Sequence, residues 1–147
     1  MKYMPMQYIS LSSLSANQQY KATITDIKLY ESLIVNNNKF KKNNLLKIIL
    51  IKTNLGSQPI NLHYHTSQRY DFVIRDCTGK ELWQWSTNKS FAQVAEDIIL
   101  NPTDSKAYSE IVTFPNEFQP GFYTIEGWNA AQELKEIKLS IPITIIP

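Results

Sequence analysis

Short runs of β-branched and aromatic residues, each closed by a cluster of Gly, Pro, Asn or Asp, recur from Ala22 to Ile146, and helical periodicity is scarce. A chain patterned this way satisfies its backbone by strand pairing, and period-two alternation decides which side of each strand is buried. The segment Ala22–Tyr30 is a first strand candidate. Leu45–Asn54 is a stronger one, whose nearly continuous apolar content predicts a strand covered on both sides. Between them "NNNKFKKNN" is polar, basic and aperiodic, and reads as a loop or hairpin tip.

Farther along, "INLHYHT" alternates with Ile60, Leu62 and Tyr64 on one face and Asn61, His63 and His65 on the other. "RYDFVIRD" and "ELWQW" flank Asp76-Cys77-Thr78-Gly79, where the glycine can take a positive φ, so they form a hairpin. "NKSFAQVAEDIILNP" reads as a turn followed by a strand that stops before Pro102. "AYSEIVTF", "FYTIEGW" after the Pro120-Gly121 turn, and "EIKLSIPITII" complete the set. About eight strands at spacings of ~8–15 residues predict an all-β, immunoglobulin-like antiparallel β-sandwich.

The chain has 147 residues, which is the length of one domain (1–147), and roughly 70% of the unfolded surface of such a domain is buried without staples. Hydrophobic residues make up 43% and charged residues 19%, the balance of a folded globular chain. Cys77 is the only cysteine, so no internal disulfide forms, which fits a reducing compartment. A formal charge of +2 is too small to point to nucleic acid or an anionic membrane as main partner. The opening "MKYMPMQYISLSSLSAN" is interrupted by Pro5, Gln7 and repeated Ser and does not read as a signal peptide. No apolar run reaches the ~20 residues that span a bilayer. The expectation is a soluble, cytoplasmic protein.

Trp83 and Trp85 stand two apart and are expected to share a face of their strand, each burying ~150–250 Å². Core packing is the favoured role, with an exposed aromatic platform as the alternative. His63 and His65 have a spacing that a metal site uses, with Asp71 as the only nearby third ligand; two ligands do not make a site, and solvent-facing histidines are the preferred reading. The turn around Cys77 supplies nothing that activates a nucleophile. Gly-rich phosphate loops, Gly-x-Ser-x-Gly elbows and His-Glu-x-x-His patterns are missing, so neither an enzyme nor a cofactor is expected. Lys39, Lys41 and Lys42 around Phe40 read as a solvated tip, and Asn88-Lys89-Ser90, a glycosylation sequon, has no meaning in the cytoplasm.

The order Thr53-Asn54, "QPINLHYHT", "SQRYDFVIRD", "DCTGKELWQWS", Phe91-Ala92-Gln93 and "PGFYTI" resembles the intracellular proteinase inhibitor family typified by the BsuPI domain of Bacillus. The likeness runs from about Lys47 to the C-terminus, so 45–147 is expected to be the BsuPI-like sandwich. Residues 1–44 are then an N-terminal extension with a first strand and the Asn/Lys-rich loop. "LNPTDSKAYSEIVTF" departs from the family in lacking a Pro-Gly turn and in carrying Phe114 where a Trp is usual. The family's fold is an all-β sandwich. Its activity implies a protein partner, an intracellular subtilisin-like serine protease.

A protease inhibitor presents a rigid loop or an edge strand, and one side chain fills a specificity pocket. An apolar anchor suits the implied targets, and the loop candidates are Leu55, Tyr108 and Phe118; the segment "STNKSF" after the tryptophans is a further surface. The alternatives are a structural or adaptor sandwich without inhibitory activity and, more remotely, a histidine-based hydrolytic or metal-dependent enzyme.

Overall fold

A computed structural model describes residues 17–147. Its strands are β1 (Gln19–Ile24), β2 (Leu29–Val35), β3 (Lys39–Phe40), β4 (Leu45–Asn54), β5 (Ile60–Tyr64), β6 (Tyr70–Asp76), β7 (Glu81–Gln84), β8 (Glu96–Leu100), β9 (Ser105–Thr113), β10 (Gly121–Asn129) and β11 (Lys138–Ile145). One sheet has the order β1-β2-β4-β9 and the facing one β3-β11-β10-β6-β7; β5 and β8 form a small third sheet. All pairings are antiparallel except the two-residue match of β3 with β11. The all-β sandwich expected from the alternation is the observed fold. The strand count exceeds eight because the first candidate divides in two and the Asn/Lys-rich loop contributes a short strand of its own.

Alternation fills the space between the sheets. Leu46, Ile48 and Leu50 of β4 and Leu33 and Val35 of β2 meet Phe72 and Ile74 of β6, Ile125 of β10 and Leu139, Ile141 and Ile143 of β11. Gly127 of β10 sits where they are closest: a Cβ there would lie 2.9 Å from Leu33 Cδ1 and 3.0 Å from Phe72 Cδ1. A second cluster at one end of the sandwich joins Leu29, Ile60, Leu62, Tyr64 and Leu100 with Ala131 and Leu134, so β5 and β8 close that end.

Three sequence expectations change. The candidate Ala22–Tyr30 is not one strand: β1 stops at Ile24, and the turn is closed by Lys28 N–H to Thr25 O and Thr25 N–H to Leu29 O. The Asn/Lys-rich segment is not only a solvated tip, since Phe40 is buried and packs edge-on against Phe114 at 5.3 Å. Finally, β7 ends at Gln84, and Trp85 opens a 310 turn, so the two tryptophans do not continue along one strand. Trp83 lies opposite Ile74, and Trp85 stacks on Tyr70 at 4.5 Å. Both are half-buried against the main core, which keeps packing as their role but with less area than a fully enclosed pair.

Charged groups also enter the interior. Glu31 on β2 and Lys52 on β4 are cross-strand neighbours and nearly inaccessible. Neither carboxylate oxygen of Glu31 has a hydrogen-bond partner, whereas Lys52 Nζ donates to Tyr64 at 2.6 Å and to Tyr108 at 3.2 Å. Burial pushes the Glu31 carboxyl up to about 7 against the pull of Lys52. Burial pushes the Lys52 ammonium down to about 8, with Glu31 resisting.

Two outcomes are expected. Gly127→Ala destabilises by about 1–3 kcal/mol, read from denaturant unfolding, because the methyl group has to displace side chains from both sheets. The buried pair makes stability depend on pH in a defined way. A raised acid is stabilising when protonated, so stability falls as pH rises from 4.5 to about 7. A lowered base costs stability while the unfolded amine still holds its proton, so stability recovers as pH rises from about 8 to 10.5. The stability minimum therefore lies between pH 7 and 8. Glu31→Gln removes the acid-side fall, on the order of a few kcal/mol, which thermal melts across pH will show.

Candidate functional site

The three anchor candidates fall in different surroundings. Phe118 does not project from its loop: it is 4% exposed, stacks on Tyr123 at 5.4 Å and contacts Phe114. Pro115 O accepts the Phe118 N–H and Gln119 O accepts the Tyr123 hydroxyl, so the bend turns the ring into the core. Tyr108 is on strand β9 rather than in a loop; it stacks on Tyr70 at 4.7 Å, its hydroxyl accepts from Lys52, and burial pushes its pKa up. Leu55, by contrast, is 47% exposed at the head of the β4–β5 loop.

That loop is held from beneath by Asn54, which is 0% exposed. Its side-chain amide donates to Gln58 O at 2.8 Å and to Leu100 O at 2.9 Å, and its side-chain carbonyl accepts the Gly56 N–H at 2.9 Å. Its backbone accepts Thr103 N–H at 2.9 Å and donates to Asp104 O at 3.0 Å. Leu55 N–H reaches Lys28 O at 3.2 Å. A short loop with its amides and carbonyls satisfied this way loses little conformational freedom on binding.

Three turns therefore meet at Asn54 and Leu55: Thr25–Lys28, the loop from Leu55 to Pro59, and Asn101–Asp104. Lys28 and Thr103, the two non-glycine residues with positive φ among the described residues (67° and 70°), are both bonded to the Asn54–Leu55 segment. A β-branched residue in this conformation is strained, and such strain persists only where surrounding contacts over-determine it. Gly56 keeps the approach uncrowded, since a Cβ there would sit 3.1 Å from Lys28 Cβ.

The sheet edges form a second concave surface. β7 and β9 are the outermost strands of their sheets on the same side, and a groove of about 540 Å³ runs between them, lined by Trp83, Trp85, Lys89, Glu110 and Ile111. The segment "STNKSF" borders it through Thr87, Asn88 and Lys89, and Lys89 Nζ lies 4.9 Å from the Trp85 ring.

The histidines are not brought together with Asp71, and the His63 side chain is half exposed. His63 pairs through Nδ1 with Glu133 and lies 3.6 Å from Asp97 through Nε2; the Glu133 bond raises its pKa. Asp71 is elsewhere: it is buried and accepts from Ser86 Oγ at 2.6 Å and Gln84 Nε2 at 2.7 Å. Asp71 thus ties the turn after β7 to β6. Among the described residues no group of three or more His, Cys, Asp or Glu side chains is arranged to hold a metal ion. Cys77 is exposed in its turn. None of the described helical segments is long and apolar enough to cross a membrane.

No curated protein sequence matches the chain. Similar solved structures include a β-glucosidase from Erythrobacter marinus, with a TM-score of 0.46, 12% identity, and coverage of 88% of this chain but 15% of that one. The chain thus spans only a small part of that enzyme's length. Another is the CARDB domain of a Pyrococcus furiosus protein in complex with di-metal ions (TM-score 0.44, 10% identity, 99% and 100% coverage). A third is the sporulation control protein Spo0M from Bacillus subtilis (TM-score 0.46, 9% identity, 90% and 51% coverage). Residues 33–134 match the family model described as intracellular proteinase inhibitor, BsuPI, which is more than half of the sequence, and the chain belongs to that family.

Proposed function

We propose that the protein is a cofactor-free inhibitor of an intracellular serine protease of the subtilisin type, and that it presents Leu55 to the enzyme. The observation that carries this reading is the pinning of the Leu55–Pro59 loop by the buried Asn54 amide. An inhibitory loop has to enter a protease cleft already shaped, because ordering it on binding consumes affinity. It also has to offer a side chain that the core does not claim. Leu55 meets both conditions, whereas Phe118 is spent on the core and Tyr108 on the Lys52 cluster. The family's description as intracellular proteinase inhibitor supports a protease as partner. Titration of the purified protein against a subtilisin-type intracellular protease, followed by peptide hydrolysis, tests it. Stoichiometric loss of activity is expected; full activity at molar excess would remove the reading and favour a sandwich that serves as adaptor.

Two variants sharpen the test. Leu55→Asp puts a charge where an apolar pocket has to desolvate it, and inhibition should weaken by about 10²-fold or more at unchanged thermal stability. Asn54→Ala removes the acceptor of the part-buried Gly56 N–H and the donor to two carbonyls, of which the Leu100 bond is buried, and a buried unmatched group costs about 1–3 kcal/mol. This variant should melt lower and be cut between Leu55 and Pro59 by the protease it ought to block, as mass spectrometry of the digest would show.

A further inference from the structure

The loop that carries Leu55 is flanked by a second tip with an exposed apolar side chain. The β1–β2 turn leans against that loop: Lys28 O accepts the Leu55 N–H, and the missing Cβ of Gly56 gives Lys28 its place. Lys28 holds a left-handed backbone without being glycine, in the turn whose carbonyl is bonded to Leu55. The residue before it, Ile27, is 40% exposed in this tip, although nothing in a two-strand turn requires an isoleucine there. Between the tips lies a depression of about 320 Å³ lined by Ile27, Lys28, Gly56, Pro59, Ile60 and Glu133. Ile27 also lies outside the family match, which begins at residue 33.

Resting on the inhibitor reading above, we infer that Ile27 is a second contact residue, which sets specificity for a protease offering two adjacent apolar subsites, one for Leu55 and one for Ile27. Two apolar side chains on tips joined by a backbone hydrogen bond keep a fixed spacing, so an enzyme with only one apolar subsite leaves Ile27 in water or against a polar wall. The chain's own first hairpin then selects among proteases that the family loop alone would not separate.

The test is Ile27→Ser, an exposed change that preserves the turn, measured beside wild type and Leu55→Asp for inhibition of a subtilisin-type protease. Hydrogen exchange at the Leu55 amide is followed in the same variants. The expected result is at least about tenfold weaker inhibition by Ile27→Ser with Leu55 amide protection unchanged, since the Lys28 carbonyl is still present. Wild-type inhibition that Leu55→Asp abolishes and Ile27→Ser leaves intact overturns this inference and keeps the inhibitor reading. Loss of both inhibition and amide protection in Ile27→Ser makes Ile27 a support of the loop and overturns its role as a contact. Absence of inhibition by the wild-type protein removes the inhibitor reading and this inference with it.

Discussion

Strand β4 pairs on both sides, with β2 and with β9, and its alternation places Leu46, Ile48, Leu50, Lys52 and Asn54 on one face. All five are buried. Each needs a different environment, and the sandwich is arranged around supplying them in order. The three aliphatic side chains require the opposite sheet, which is why β6, β10 and β11 lie over them. Lys52 requires oxygen acceptors, and two tyrosine hydroxyls are brought to it from β5 and β9. Asn54 requires partners for a whole amide, and it draws Gln58, Gly56 and Leu100 around itself. A one-residue slip of β4 would place Lys47, Ile49 and Thr53 on that face instead, so the register is strongly specified.

The change from apolar to polar along this one face divides the molecule. At the apolar end the sheets close tightly, with Gly127 marking the narrowest point. Towards the polar end, interior groups exert demands that water would otherwise meet. Glu31 illustrates the cost, since its carboxylate oxygens lack hydrogen-bond partners beside a lysine engaged with tyrosines. Beyond it, Asn54 converts the end of a core strand into a brace for three turns. The loop bearing Leu55 inherits the rigidity of the core because its hydrogen bonds terminate on a residue the core immobilises.

Much of this was legible from alternation alone. The inward set Ile60, Leu62 and Tyr64 follows from period two, the bounds of β4 from its nearly continuous apolar run, and the positive φ of Gly79 from the turn residues of the β6–β7 hairpin. The misreadings share one cause. Ala22–Tyr30 has a strand-like composition throughout, and the turn at Thr25–Lys28 is made by a side-chain and backbone hydrogen-bond pattern without Gly or Pro to announce it. Phe40 sits among lysines and asparagines, where local polarity conceals a single ring that reaches the core. Phe118 lies in a segment with Pro115 and Asn116 before it and Pro120 after it, yet Phe114 and Tyr123 close over it. In each case a specific contact, near or far along the chain, decides what composition alone does not show.

The sequence by itself determined that the chain is all-β, where most strands lie, which side of β5 and β6 faces inward, and a likeness to a proteinase inhibitor family. These depend on neighbours within a few residues, where steric and hydrophobic patterning act. Tertiary structure decided that Asn54 is a buried brace, that Leu55 is offered to solvent while Phe118 is withdrawn, and that the turn carrying Ile27 is bonded to Leu55 through the Lys28 carbonyl. Those outcomes rest on hydrogen bonds such as Asn54 to Leu100 and Leu55 to Lys28, which join residues far apart in the chain. An asparagine after a strand looks locally like any turn residue, and only the closing of the sandwich around it removes the water that would otherwise bind its amide.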